Sequence, residues 1–134
     1  MLKKQITYTD YNGIQRTEDF YFHFNEAELT DMQLTTEGGL DQLITKIIET
    51  KDTPNLIKLF KELVLKAYGE KSTDGKRFVK VDRDGYHLYN DFAQTEAFSV
   101  LYMELVRDDV AASNFFKGVL PPSTNTNNPP VKNN

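Results

Sequence analysis

The apolar positions change period along this chain. From Lys4 to Phe24 they alternate. The first arm, Lys4 to Thr9, leads into Asp10-Tyr11-Asn12-Gly13, and Asn-Gly is the strongest short hairpin signal because both residues tolerate positive φ. The second arm, Ile14 to Phe24, ends with Phe20, Phe22 and Phe24 on one face and Tyr21 and His23 on the other. A lone hairpin is marginal in water, so the Phe face is expected to lie on helices or on a neighbouring subunit. His23, opposite that face, is expected to be exposed or at an edge.

The period then becomes helical. Asn25 and Glu28 have the spacing of a capping box, opening a short helix that ends near Leu34 and buries Leu29 and Met32. Gly38-Gly39 breaks the chain. Leu40, Leu43, Ile44, Ile47 and Ile48 form an i, i+3, i+4, i+7, i+8 stripe over 40–51. Thr53-Pro54 starts a third helix over 54–68, with Leu56, Leu59, Phe60, Leu63, Val64 and Ala67 on its stripe, widened by Ile57 and Leu65. The short link predicts an αα-hairpin, and Gly69 is placed to stop the second helix.

Residues 70–77 read as a polar turn, and Phe78-Val79-Lys80-Val81 as a strand or an extended linker. Asp82 or Asp84 caps a helix containing Leu88 and Phe92. Thr95 or Asp91 opens a helix over about 95–107, with Phe98, Leu101, Tyr102 and Leu105 on one face. Asp108 or Asp109 caps the last helix, which runs through Phe115 and Phe116 to about Lys117 and is ended by Gly118. The fold class expected is therefore mainly α with a small N-terminal β-hairpin. It is a bundle of about five to six helices: one domain over 1–120, with the hairpin at 4–24 and the helical part at 25–120. Residues 121–134 are Pro, Asn, Ser and Thr with almost no apolar content, and are expected to form a disordered tail.

Composition narrows the function. With 134 residues, the chain can bury a core without disulfides or metal. It has no cysteine, which excludes thiolate catalysis and Cys-ligated zinc. The net charge is -4, and without Lys132 of the tail residues 1–120 carry -5. That balance disfavours binding to phosphate backbones, so no nucleic-acid partner is expected. No apolar signal segment follows Met1, and no apolar run is long enough to span a bilayer. The cytoplasm is the expected location.

The search for chemistry finds little. His23 and His87 stand in different elements with no carboxylate pattern linking them, and His-x-x-x-His spacing is absent. Asp10-Tyr11-Asn12-Gly13 and Asp82-Arg83-Asp84-Gly85 resemble calcium-loop fragments. When Gly is set at the sixth position, however, Tyr8 and Lys80 fall where the first acid belongs. There is no nucleophile elbow and no phosphate-cradling loop. The chain is read as a non-enzyme with no cofactor and no metal.

What stands out is aromatic load, 9 Phe and 7 Tyr, without catalytic company. Most of the Phe rings suit core packing; the sharper reading is a protein-binding patch. The partner-binding candidates are Phe20, Phe22 and Phe24 of the hairpin, and Ile44, Ile48, Ile57, Phe60 and Val64 of the helix pair.

A spread of short segments resembles a known family. These are Ile6-Thr7-Tyr8-Thr9-Asp10, Thr17-Glu18-Asp19-Phe20-Tyr21-Phe22, Gly38-Gly39-Leu40, Ala67-Tyr68-Gly69-Glu70-Lys71-Ser72, Asp74-Gly75-Lys76-Arg77-Phe78, Gln94-Thr95-Glu96-Ala97-Phe98, Met103-Glu104-Leu105, and Phe115-Phe116-Lys117-Gly118-Val119-Leu120-Pro121. Together, over about 4–121, they resemble the tail assembly chaperones of long-tailed siphophages and prophages of Gram-positive bacteria. The segment from Val81 to His87 departs from many of them. The resemblance implies a non-catalytic protein of the host cytoplasm that coats the hydrophobic helical tape measure protein and keeps it soluble until the tail tube polymerises. It also admits three further partners: a frameshifted longer form of the chain, the major tail protein, and the chain itself. The alternative is a structural tail or head-tail completion protein of the virion.

Overall fold

A computed structural model of the chain describes residues 1–32, residues 54–121 and the separate positions 39, 42, 45, 46 and 49. The chain opens as expected, with strands β1 (Leu2–Thr9) and β2 (Gln15–Phe22) paired antiparallel from Leu2↔Phe22 to Thr9↔Gln15. Gly13 takes φ +81° in the turn, which the absence of a Cβ permits. The Asp10 carboxylate closes the turn by accepting from the Asn12 and Ile14 amides, both at 2.9 Å.

The fold class differs from expectation. The chain is not a mainly helical bundle with a small hairpin. Its described residues build a four-stranded antiparallel sheet in the order β1-β2-β3-β4. Helix α1 (Glu26–Asp31) follows the hairpin, and helix α2 (Pro54–Ala67) passes without a break into β3 (Tyr68–Lys71). β3 pairs with β2 through Tyr21↔Gly69 and Phe22↔Tyr68, and β4 (Phe78–Val79) pairs back onto β3. Gly69 is thus a strand residue rather than a helix stop. A Cβ there would lie 2.6 Å from Phe78 Cε2 and 2.8 Å from the Val79 carbonyl oxygen. The polar turn is shorter than expected, built on Ser72, Asp74 and Gly75 at φ +76°.

Three further helices complete the described chain: α3 (Tyr89–Phe92), α4 (Glu96–Arg107) and α5 (Asp109–Val119). Their starts follow capping chemistry. Asn25 and Glu28 form the expected reciprocal box on α1, Thr95 accepts from the Phe98 amide on α4, and Asp108 accepts from the Val110 and Ala111 amides on α5. Asp82 is not a helix cap. It folds a turn of its own, accepting from the Asp84 and Tyr86 amides, and α3 begins without a side-chain cap. Gly118 lies inside α5, where it lets Leu2 approach: a Cβ there would sit 2.9 Å from Leu2 Cδ1. Of the helix expected over 40–51, Gln42, Thr45, Lys46 and Glu49 are helical and exposed, while its apolar stripe lies outside the described residues. So do Leu34 and the stretch after Pro121.

The helices cover one face of the sheet. α4 lies along β1, tied by Lys4–Glu104 at 3.0 Å and by the Tyr11 hydroxyl donating to Glu96 at 2.9 Å. α5 crosses the Leu2–Phe22 end, where the Phe24 amide donates to the Val119 carbonyl at 2.7 Å. α2 brings Phe60 to within 5.5 Å of Phe116 and 6.0 Å of Tyr102, ring centre to ring centre. Burying a large apolar side chain fully contributes roughly 1.5–3 kcal/mol, so this aromatic layer dominates the packing. The opposite face carries Lys3, Gln5, Thr7, Thr17 and Asp19, all exposed, as a one-sided antiparallel sheet requires.

Candidate functional site

The partner-binding candidates separate by burial. Phe22, Phe24, Phe60 and Val64 are core residues, each at most 3% exposed. Phe22 makes ring contacts with Tyr68, Phe92 and Phe115, the last at 5.1 Å. These four present no surface in the folded chain. Phe20 is partly buried between Tyr8 and Phe92, and Ile57 is partly exposed. Ile44 and Ile48 lie outside the described residues.

A groove of about 240 Å³ opens beside α1, lined by Phe24, Met32, Val81, His87 and Tyr89 together with the charged groups Glu28, Asp31, Lys66 and Lys80. Its apolar lining comes from four different segments: the end of β2, the end of α1, the residues after β4, and α3. The turn at Asp82–Tyr86 sets one side of it, because the Val81↔His87 bridge holds both ends of that loop together. Gly85 allows the loop to close at φ +83°.

Lys80 organises the groove. Its ammonium is 2.7 Å from the Glu28 carboxylate, donates to the His23 carbonyl at 2.6 Å, and lies 4.7 Å from the Phe24 ring centre. Burial holds the Lys80 amine below the usual lysine range, and the Glu28 carboxylate opposes that shift. Glu28 therefore serves twice, capping α1 and anchoring Lys80. The sequence did not single out Lys80. A lone Lys after a two-residue strand carries no periodic signal; only the apolar residues on both sides of it hint at burial.

His23 is not exposed as expected. Its ring meets Phe78 edge-on at 6.0 Å, and its Nδ1 is buried with no hydrogen-bond partner among the described residues. Burial lowers its pKa, reinforced by the amino terminus and Lys80, which keeps the ring neutral near pH 7. His87 instead stacks on Tyr89 at 5.1 Å in the groove wall.

Among the described residues, no three His, Asp or Glu side chains gather as a metal would need. The two Asp-x-x-Gly turns spend their carboxylates on the chain itself. Asp10 also binds Arg16 at 2.6 Å; that contact, with the turn amides, lowers its pKa. None of the described helices is long and apolar enough to cross a membrane.

The fold and groove define a small α+β domain that offers a mixed apolar and charged cleft on a rigid aromatic core. A family model described as phage tail assembly chaperone matches residues 1–128, and the chain belongs to that family. No curated protein and no solved structure matches the chain. The family is one of assembly factors, not of enzymes, and its members work in the host cell while the virion is being built.

Proposed function

We propose that this tail assembly chaperone binds the hydrophobic helical tape measure protein in the host cytoplasm and keeps it soluble until tail tube subunits displace it. The family match supports the role in tail assembly, and the groove beside Met32 supports the manner of binding. An amphipathic helix carries apolar side chains at one stripe and charges at its flanks. A cleft that exposes Met32, Val81 and Tyr89 over the buried Phe24 ring and is edged by Glu28, Asp31 and Lys66 offers both kinds of contact.

Phe20, Ile57, Ile44 and Ile48 are further proposed apolar contacts for the client. A holdase needs modest affinity per site and many copies, so that avidity retains the client and polymerising tube subunits release it. An acidic domain keeps the coated complex in solution. In this reading residues 1–120 act as one unit, and 121–134 form a dispensable tail. The frameshifted longer form and the major tail protein are further proposed partners.

The test is dilution of the denatured tape measure protein into buffer with and without this chain, followed by light scattering. Suppressed aggregation supports the proposal. Equal aggregation, together with persistence of the chain in purified particles, would favour a structural virion component.

A further inference from the structure

Among the described residues, β1 is hydrogen-bonded on one side only, to β2. The Asp10 amide donates to the Ile14 carbonyl, so the ladder alternates from there. Tyr8, Ile6, Lys4 and Leu2 exchange bonds with β2, while the amides and carbonyls of Lys3, Gln5, Thr7 and Thr9 point to the open edge. Those outward groups have no partner among the described residues. The edge has no proline, no bulge and no break over its eight residues.

The surface continues onto α4. Glu96 and Glu104 hold that helix to Tyr11 and Lys4, which places the stripe containing Val100 on the β1 side. Val100 is 41% and Met103 37% exposed. An open backbone edge flanked by exposed apolar side chains is the surface that strand addition covers.

We propose that this edge pairs with the β1 edge of a second copy of the chain, antiparallel across a two-fold axis at Ile6. The charges support this occupant. Lys3 and Lys4 stand at one end of β1, whereas Asp10 and Glu96 lie at the turn end, where Arg16 offsets part of that charge by pairing with Asp10. Antiparallel pairing brings the basic end of each strand to the acidic end of the other. With Ile6 on the axis, Lys3 faces Thr9 of the second copy, Gln5 faces Thr7, and Lys4 faces Tyr8, so no like charges meet within the strand pair. The paired sheets form one continuous eight-stranded sheet, and the flanking Val100 and Met103 stripes are turned toward each other. The proposal does not depend on the identity of the client.

Sedimentation of the full chain over a range of concentrations, without client, tests it. The wild type is expected to reach twice the 15.4 kDa chain mass. Gln5→Pro removes an outward amide only, so β1–β2 pairing survives. It is expected to melt like wild type when dilute and to weaken dimerisation roughly tenfold or more. Hydrogen exchange on the wild type gives a second reading, with the Lys3, Gln5, Thr7 and Thr9 amides slowing as concentration rises. A chain that stays monomeric, dimers untouched by Gln5→Pro, or edge amides that exchange fast at every concentration would overturn the proposal. So would edge protection that appears only when a tape measure or tail tube protein is added, which would assign the edge to a client strand.

Discussion

Gly69 lies close against the ring of Phe78: a Cβ at Gly69 would come within 2.6 Å of that ring and 2.8 Å of the Val79 carbonyl oxygen. One of those neighbours is backbone held in the β3–β4 ladder, so it cannot move aside alone. Gly69→Ala should therefore destabilise the fold by about 1–3 kcal/mol in urea unfolding, as overpacking does. Stability equal to wild type would mean that β4 can shift freely.

Phe22 is fully buried against Phe115, Phe92 and Tyr68. Phe22→Ala should cost about 3–5 kcal/mol of unfolding free energy. A variant that unfolds with wild type yet loses its partner would move this ring from the core to an interface.

Tyr68 stacks on Phe92 with ring centres 4.2 Å apart, and burial, with Glu70 and Asp91 adding to it, pushes its hydroxyl up to about 12. The unfolded chain gives up this proton near the ordinary tyrosine value of 10.0, while the folded chain still holds it. The stability contributed is fully present below pH 10 and is lost as pH rises toward 12. Over that window wild type should lose stability relative to Tyr68→Phe, measured by urea unfolding at successive pH values. Parallel curves would show that the ring titrates as if exposed.

Much of this architecture was legible. Asn12-Gly13 and the spacing of Phe20 and Phe22 marked the hairpin, and Asn25, Thr95 and Asp108 marked helix starts by capping chemistry. The sheet beyond the hairpin was hidden because β3 continues α2 directly: Ala67 ends the helix, Tyr68 begins the strand, and no breaker separates them. Asp74-Gly75 between Tyr68–Lys71 and Phe78–Val79 was the available signal, a second hairpin turn between short strands. The candidate site was harder. Periodicity places Phe22, Phe24, Phe60 and Val64 on apolar faces but does not say what covers those faces. Lys80 became meaningful only when the fold set it between Glu28 and Phe24.

Val81 is 43% exposed and lines the groove without entering the core. Val81→Asp should unfold within about 0.5 kcal/mol of wild type, as exposed substitutions do. Binding of the tape measure protein should nevertheless weaken, read by titration against a labelled client. Unchanged binding would remove the groove from the client surface.

The most direct test of the account is co-expression of this chain with the tape measure protein of the same phage, followed by size-exclusion chromatography with light scattering. The expected result is a soluble complex holding several copies of the chain per client. An insoluble client, with this chain eluting free of it, would contradict the chaperone mechanism proposed here.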